Sequence, residues 1–309
     1  MSSRRGRPPA PSPAGSWLAR WPVAALPVVA AVLLAGWWLV GRAAAPIAST
    51  TGTTGATGAG AVLASYRPPD LHALAVSPTD PRTVVFGSHR GVLVSHDAGA
   101  TWSTVNGGNG DAMGLALATG SAPAYAAGHD VFFRSDDGGR TWASLRPALP
   151  GTDIHGFAAS PSTPGAVYAY VVGFGLFKSP DGTTWSHSGD ASAGTMSLAA
   201  AKGGAGDVLL ATTMQGVERS RDAGKTWERI PQLGTAYVSA VSGSAYAVSG
   251  SAVFLSADGG TTWTTRPFPR GGGALIAGAA TDAQLVYVVT DRLEVWRSRD
   301  AGTIWERAG

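Results

Sequence analysis

The chain has 309 residues, with 43 glycines, 23 basic and 20 acidic side chains, and no cysteine. The absence of cysteine excludes disulfides, cysteine-ligated zinc and a thiol nucleophile, so a metal would need histidine, methionine or carboxylate ligands. Five arginines among the first 42 residues account for the positive net charge, and the rest of the chain has no basic stripe that would favour a nucleic-acid partner.

The N-terminal segment predicts a membrane anchor. Residues 21–41, WPVAALPVVAAVLLAGWWLVG, carry no charge, and about 21 helical residues at about 1.5 Å each cross a hydrocarbon core of about 30 Å. Tryptophans mark both ends of the span, as in interfacial belts: Trp17, Trp21, Trp37 and Trp38. Four arginines precede the span and only Arg42 follows it closely, so the positive-inside rule predicts a cytoplasmic tail over residues 1–20 and an extracytoplasmic remainder.

A cleaved signal peptide is the alternative interpretation of this segment. Ala43 and Ala45 are small residues suited to a cleavage site, but the apolar stretch exceeds the roughly 7 to 15 residues of a usual signal-peptide core. We therefore favour an uncleaved signal-anchor, although both interpretations export the C-terminal part of the chain. Residues 42–66 are rich in Gly, Thr and Ala and predict a flexible linker.

Six near-copies of one phrase come after the linker: SHDAGATW, SDDGGRTW, SPDGTTW, SRDAGKTW, SADGGTTW and SRDAGTIW. Their aspartates recur every 36 to 44 residues, about the length of a four-stranded propeller blade. In each unit three short β-rich runs precede the phrase and one comes after it, as in LHALAV, TVVFGS, GVLVS and ATWSTV. The pattern predicts an all-β, six-bladed β-propeller over residues 67–309, in which each phrase is the turn between the third and fourth strands.

The phrase resembles the Asp-box, or bacterial neuraminidase (BNR) repeat, of sialidases, sortilin-type receptors, photosystem II assembly-factor propellers and many bacterial glycosylhydrolase-like propellers. The resemblance covers residues 67–309. Ser and Asp side chains can bond turn amides, Gly adopts positive φ and Trp buries a large ring, so we expect a structural role for each box. The predicted structural residues are Ser95, Asp97, Gly99, Trp102, Ser135, Asp137, Gly139, Trp142, Ser179, Asp181, Gly182, Trp185, Ser220, Asp222, Gly224, Trp227, Ser256, Asp258, Gly260, Trp263, Ser298, Asp300, Gly302 and Trp305. The third copy lacks one residue between Asp181 and Gly182, which predicts an altered turn.

The same resemblance implies an alternative function, an exo-sialidase-like glycoside hydrolase. Such enzymes carry an arginine triad, a tyrosine nucleophile and an Arg-Ile-Pro motif, and the nearest string here, FPRGGG at 268–273, lies in the wrong place. Asp70, Asp111 and Asp153 could supply the facing carboxylates of a hydrolase, but their recurrence just before each first strand also suits turn capping. We therefore favour a non-catalytic ligand- or protein-binding module and predict no catalytic residue.

Alignment of the six units on the box serine locates equivalent residues on the opposite, upper face of the propeller. The first strands begin on this face, and the turns between the second and third strands lie there. Aligned on the box serine, the first-strand starts are His72, Met113, His155, Met196, Val238 and Leu275. The second-to-third turns begin at His89, His129, Gly173, Met214, Gly250 and Arg292. Four of the six histidines and every methionine after Met1 fall in these two sets, whereas His96 and His187 fall on the lower face.

These positions predict a ligand site at the mouth of the central channel: His72, His89, Met113, His129, His155, Met196, Met214 and Arg292. Without Arg292, the same set suits copper, particularly Cu(I), in an oxidising exported compartment. The alternatives are plain packing, since Met fills gaps readily, or an organic ligand. A protein-docking rim is a further alternative, because Arg90, Arg292, Asp130 and Asp291 lie in upper-face loops, where a protein, small ligand or glycan could bind.

Overall fold

The computed structural model describes residues 66, 70–117, 120, 122–190 and 194–308. The predicted tail, signal-anchor and all of the predicted linker except Tyr66 lie outside the described residues. Within the described part, no helix is both long and apolar enough to cross a bilayer.

Six antiparallel four-stranded sheets succeed one another along the chain, which confirms the predicted six-bladed propeller. Blade one contains β1 Leu71–Val76, β2 Val84–Ser88, β3 Gly91–Ser95 and β4 Ser103–Thr104. Blade two contains β5 Ala112–Leu117, β6 Ala124–Gly128, β7 Val131–Ser135 and β8 Ala143–Ser144. Blade three contains β9 Ile154–Ala159, β10 Val167–Val171, β11 Gly175–Ser179 and β12 Ser186–Gly189.

The second half repeats this order, with one 3-10 turn at Pro231–Leu233 between blades four and five. Blade four contains β13 Thr195–Lys202, β14 Asp207–Thr213, β15 Gly216–Ser220 and β16 Glu228–Arg229. Blade five contains β17 Tyr237–Val241, β18 Ser244–Ser249, β19 Ala252–Ser256 and β20 Thr264–Pro267. Blade six contains β21 Gly273–Ala279, β22 Asp282–Thr290, β23 Val295–Ser298 and β24 Glu306–Arg307.

The first strands of the blades surround the propeller axis, and β21 of blade six lies against β1 to close the ring. Their small side chains, among them Ala73, Ala116 and Ala199, line a narrow axial cavity of about 100 Å³. The hydrophobic core consists of layers between neighbouring blades, so each blade buries one face on the next. Tyr66 packs into the layer between blades six and one.

The Asp-box turns lie between the third and fourth strands. In blade four, Ser220 Oγ accepts the Gly224 N–H at 2.8 Å, and the Asp222 carboxylate accepts both the N–H and the hydroxyl of Thr226, at 2.9 and 2.6 Å. Trp227 Nε1 donates to the Gly224 carbonyl at 3.0 Å. The bonds from Thr226 and Ser220 lower the pKa of Asp222 to about 2. The carboxylate is thus engaged within its own turn.

The shortened third box keeps these bonds in a tighter turn. Gly182 N–H reaches Ser179 Oγ at 2.7 Å from three residues away, rather than the four in the other boxes. Tyr125 of blade two donates its hydroxyl to the Asp181 carbonyl at 2.8 Å. The Trp185 indole N–H is buried and has no hydrogen-bond partner among the described residues, unlike the tryptophans of the other five boxes.

Candidate metal centre on the upper face

The first strand of a blade begins with a β-bulge in five of the six blades. The pairing register skips one residue at each of these starts: His72, Met113, His155, Met196 and Ala274. A bulge bends the strand and re-aims the side chain of the extra residue, and such bulges recur beside functional sites. The bulge therefore sets the direction of His72 and His155.

One position of the sequence alignment is corrected by the structure. The second residue of β21, where the bulge falls, is Ala274 rather than Leu275. The cause is that the number of residues between first strand and box differs among the units, so counting back from the box serine drifts. Val238 is the second residue of β17, as aligned, but it pairs regularly with Ala247, without a bulge.

The second-to-third turns are held against the first strands by backbone bonds. His89 N–H donates to the Asp70 carbonyl at 3.0 Å, and His129 N–H donates to the Asp111 carbonyl at 3.1 Å. Each turn is thus hydrogen-bonded to the residue that lies two positions before the bulge residue. The turn residues and the bulge residues therefore lie on the same, upper face of the propeller.

The first cluster, group A, comprises His72 and His89 of blade one and Asp111 of blade two. His72 Nε2 lies 3.1 Å from His89 Nδ1 and 3.3 Å from Asp111 Oδ1. His89 Nδ1 lies 3.0 Å from Asp111 Oδ2. The two imidazole planes are nearly perpendicular, at 84°, and one nitrogen of each ring and one carboxylate oxygen lie within 4.8 Å of one another.

The second cluster, group B, comprises His129 of blade two and Asp153 and His155 of blade three. His129 Nε2 lies 2.9 Å from His155 Nε2 and 3.2 Å from Asp153 Oδ1. His155 Nε2 lies 3.1 Å from the same Asp153 oxygen. Like group A, this cluster spans a blade interface and combines two imidazoles with one carboxylate.

Each group has a buried side and an open side. In group A, the side chains of His72 and Asp111 are 16% and 18% exposed, whereas that of His89 is 45% exposed. In group B, His155 is the least exposed at 21%, and Asp153 the most at 51%. The ligand atoms are thus held by the scaffold yet accessible from solvent.

Burial keeps the inner imidazoles neutral. Desolvation, and secondly electrostatic repulsion by His89, lowers the pKa of His72 to about 4. The negative charge of Asp111 raises this pKa, but by less. Desolvation likewise lowers the pKa of His155. A neutral imidazole has a free lone pair, which is the form that ligates metals.

Asp111 Oδ1 is a buried carboxylate oxygen to which no described group donates a hydrogen bond. It faces His72 Nε2 at 3.3 Å, and His72 is uncharged at neutral pH because of its lowered pKa. An unpaired buried anionic oxygen is costly, and a cation between these atoms would remove that cost.

The spacing of the donor atoms fits a transition metal. An ion about 2.1 Å from three adjacent ligand atoms separates them by about 3.0 Å in octahedral and about 3.4 Å in tetrahedral geometry. In group B the three donor atoms form a triangle with edges of 2.9 to 3.2 Å. In group A the two imidazole nitrogens lie 3.1 Å apart, and each lies 3.0 or 3.3 Å from a different oxygen of Asp111. Two imidazoles and one carboxylate with open remaining positions form a common set for Zn, Fe, Cu and Ni.

The structure brings together the four predicted histidines but assembles them with aspartates. Met113 is buried and lines the axial cavity, and Met196 and Met214 on blade four are 42% and 57% exposed. Arg292 lines a separate cavity in blade six with Arg270 and Trp296.

The sequence suggests turn caps or hydrolase carboxylates for Asp111 and Asp153, not metal ligands. An Asp-x-His spacing joins Asp153 to His155, but the same spacing at 70–72 does not bring Asp70 into group A, so this spacing alone does not identify the ligands.

No protein-family model and no curated protein matches the chain. Among solved structures, a gluconolactonase of Xanthomonas campestris has a TM-score of 0.53 at 14% identity, over 75% of this chain and 86% of its own. The GH74 enzyme of Niastella koreensis has a TM-score of 0.50 at 19% identity over 76% of this chain, which spans only 46% of that enzyme. YCF48 bound to a D1 peptide has a TM-score of 0.49 at 16% identity, over 78% of this chain and 82% of its own. The chain is a β-propeller. These likenesses show the fold alone.

Proposed function

We propose that the protein is an exported, membrane-tethered propeller that acts as a binding module for a divalent transition-metal ion on its upper face. The observation that carries the proposal is the convergence of two sets of two imidazoles and one carboxylate, with donor atoms 2.9 to 3.3 Å apart. Export and tethering are supported by the uncharged span 21–41 with its flanking tryptophans and preceding arginines.

The donor types choose among metals. Imidazole nitrogen and carboxylate oxygen suit Zn(II), Cu(II) and Ni(II), whereas Cu(I) favours soft sulfur donors. The expectation of Cu(I) depended on thioethers, and each group completes a three-ligand set without one. We therefore propose a divalent ion rather than Cu(I), and choose Zn(II) and Cu(II) as probes because imidazole nitrogen binds both well.

The test is a titration of the full-length, tag-free protein in detergent with Zn(II) and Cu(II), monitored by calorimetry and by competition with a chelating dye. We expect stoichiometric binding that is abolished when both half-buried imidazoles are removed, in the double variant His72→Ala/His155→Ala. The matched control is His96→Ala/His187→Ala, which removes two histidines that belong to neither group and should retain binding. No stoichiometric binding by the wild type, or equal loss in both double variants, would refute the proposal.

A further inference from the structure

We infer that groups A and B form one coupled two-metal centre, joined by the hydrogen bond between Asp111 and His129. The inference rests on the proposed function and extends it from metal binding to two ions that affect each other. Asp111 then has two roles: it binds the ion in group A, and it orients His129, which binds the ion in group B.

Asp111 lies between the two groups. Its Oδ1 faces His72 and accepts no hydrogen bond from the described residues, so this oxygen is available to an ion in group A. Its Oδ2 accepts a hydrogen bond from His129 Nδ1 at 2.8 Å and also lies 3.0 Å from His89 Nδ1. One carboxylate therefore contacts imidazoles of blades one and two.

The bond to Asp111 determines the tautomer of His129. A carboxylate oxygen can only accept, so the proton of a neutral His129 resides on Nδ1 and leaves a lone pair on Nε2. That lone pair faces His155 Nε2 at 2.9 Å and the Asp153 oxygen at 3.2 Å. His129 Nε2 and the Asp153 oxygen are then both hydrogen-bond acceptors, and an ion bound to both would compensate for their proximity.

Carboxylate, imidazole and metal in this order form a recurring arrangement, in which the carboxylate orients the ring and raises its basicity. Here the orienting carboxylate is itself a ligand in group A. An ion in group A withdraws charge from Asp111 and weakens its bond to His129, and hence lowers the affinity of group B. Direct repulsion between two dications acts in the same direction.

The two ions lie close together. The bonded path from one ion through Asp111 and His129 to the other is about 12 Å long, which is an upper limit on their separation. Two Cu(II) ions within this distance broaden each other's electron paramagnetic resonance spectrum through dipolar coupling.

The experiment is a Cu(II) titration of the full-length protein, monitored by metal analysis and electron paramagnetic resonance. We expect two ions per chain, an uncoupled spectrum at one equivalent, dipolar broadening at two, and a second affinity about tenfold weaker than the first. Asp111→Asn should bind one ion, in group B, without spin coupling. Its affinity for that ion should be about 10- to 100-fold weaker than the affinity of group B in the wild type when group A is empty. The control Asp70→Asn alters the aspartate two residues before His72 and should leave stoichiometry and coupling intact.

The outcomes separate the inference from the proposed function. A single ion per chain, two ions without spin coupling, or an unchanged group B affinity in Asp111→Asn would overturn the coupled centre and leave metal binding standing. Absence of any stoichiometric ion in the wild type would overturn both.

Discussion

Asp111 Oδ1 of blade two lies 3.3 Å from His72 Nε2 of blade one, in a contact that is not a hydrogen bond. The lowered pKa of His72 makes the imidazole neutral, so no ion pair compensates the buried carboxylate oxygen at neutral pH. The packing of the two blades holds these atoms together despite their weak mutual attraction. Such an arrangement is characteristic of a preorganised ligand site.

The buried imidazoles predict a loss of stability in mild acid without metal. The unfolded chain protonates His72 and His155 near pH 6.5, whereas the folded chain does so only at lower pH, about 4 for His72. The unfolded state thus binds more protons between pH 6.5 and 4, and the free energy of unfolding should fall there by about 1 to 3 kcal/mol.

Urea unfolding in a chelator at pH 7.0, 5.5 and 4.5 measures this fall. The control is His72→Gln/His155→Gln, whose stability should change less across the same window. Parallel curves for wild type and variant would assign the acid sensitivity to other groups.

Metal binding predicts thermal stabilisation. An ion that binds only the folded state at about 100 times its dissociation constant adds about 2.7 kcal/mol, which corresponds to roughly 5 to 10 °C in a domain of this size. Zn(II) should therefore raise the Tm of the wild type and leave that of His72→Ala/His155→Ala unchanged, as measured by differential scanning calorimetry. An equal rise in both proteins would indicate binding elsewhere.

The box of blade two offers a matched pair of aspartates. Asp137 accepts bonds from Ser135, Arg140 and Thr141, whereas Asp136 pairs with Arg134 at the surface. Asp137→Ala should lower the free energy of unfolding by about 1 to 3 kcal/mol, and Asp136→Ala by at most about 1 kcal/mol.

Denaturant unfolding distinguishes the two aspartate variants, and Zn(II) titration of the folded proteins should show unchanged affinity in both. If Asp137→Ala lost metal binding but kept its stability, the structural role of the Asp-box would be contradicted.

The shortened third box predicts an unusually intolerant glycine. Gly182 and Gly138 have nearly the same φ, 75° and 74°, but a Cβ at Gly182 would overlap the Tyr125 ring, while a Cβ at Gly138 meets nothing within 4 Å. Gly138→Ala should cost about 1 to 2 kcal/mol from backbone strain alone, and Gly182→Ala distinctly more. Equal Tm values for the two variants would show that blades two and three relax around the added methyl.

The propeller was predictable because two independent signals in the sequence agree. The box repeats at the length of a blade, and the residues of each box specify a tight turn between two strands. Alignment of the units on the box serine identifies the four upper-face histidines, His72, His89, His129 and His155.

The ligand partners were harder to predict because they depend on contacts between blades. Asp111 completes a set with histidines of blade one, and no spacing along the chain reports that neighbour. The direction of His72 and His155 depends on a β-bulge, which the alternation of apolar residues does not reveal. For the same reason the alignment put Leu275 where the bulge carries Ala274.

Anomalous diffraction at the zinc absorption edge, from crystals of the Zn(II)-loaded protein, would locate the ions directly. We expect a peak about 2.1 Å from His129 Nε2, His155 Nε2 and Asp153, and a second peak bounded by His72, His89 and Asp111. Crystals that show no anomalous peak at either position, while the six side chains keep their mutual contacts, would contradict metal binding at the upper face.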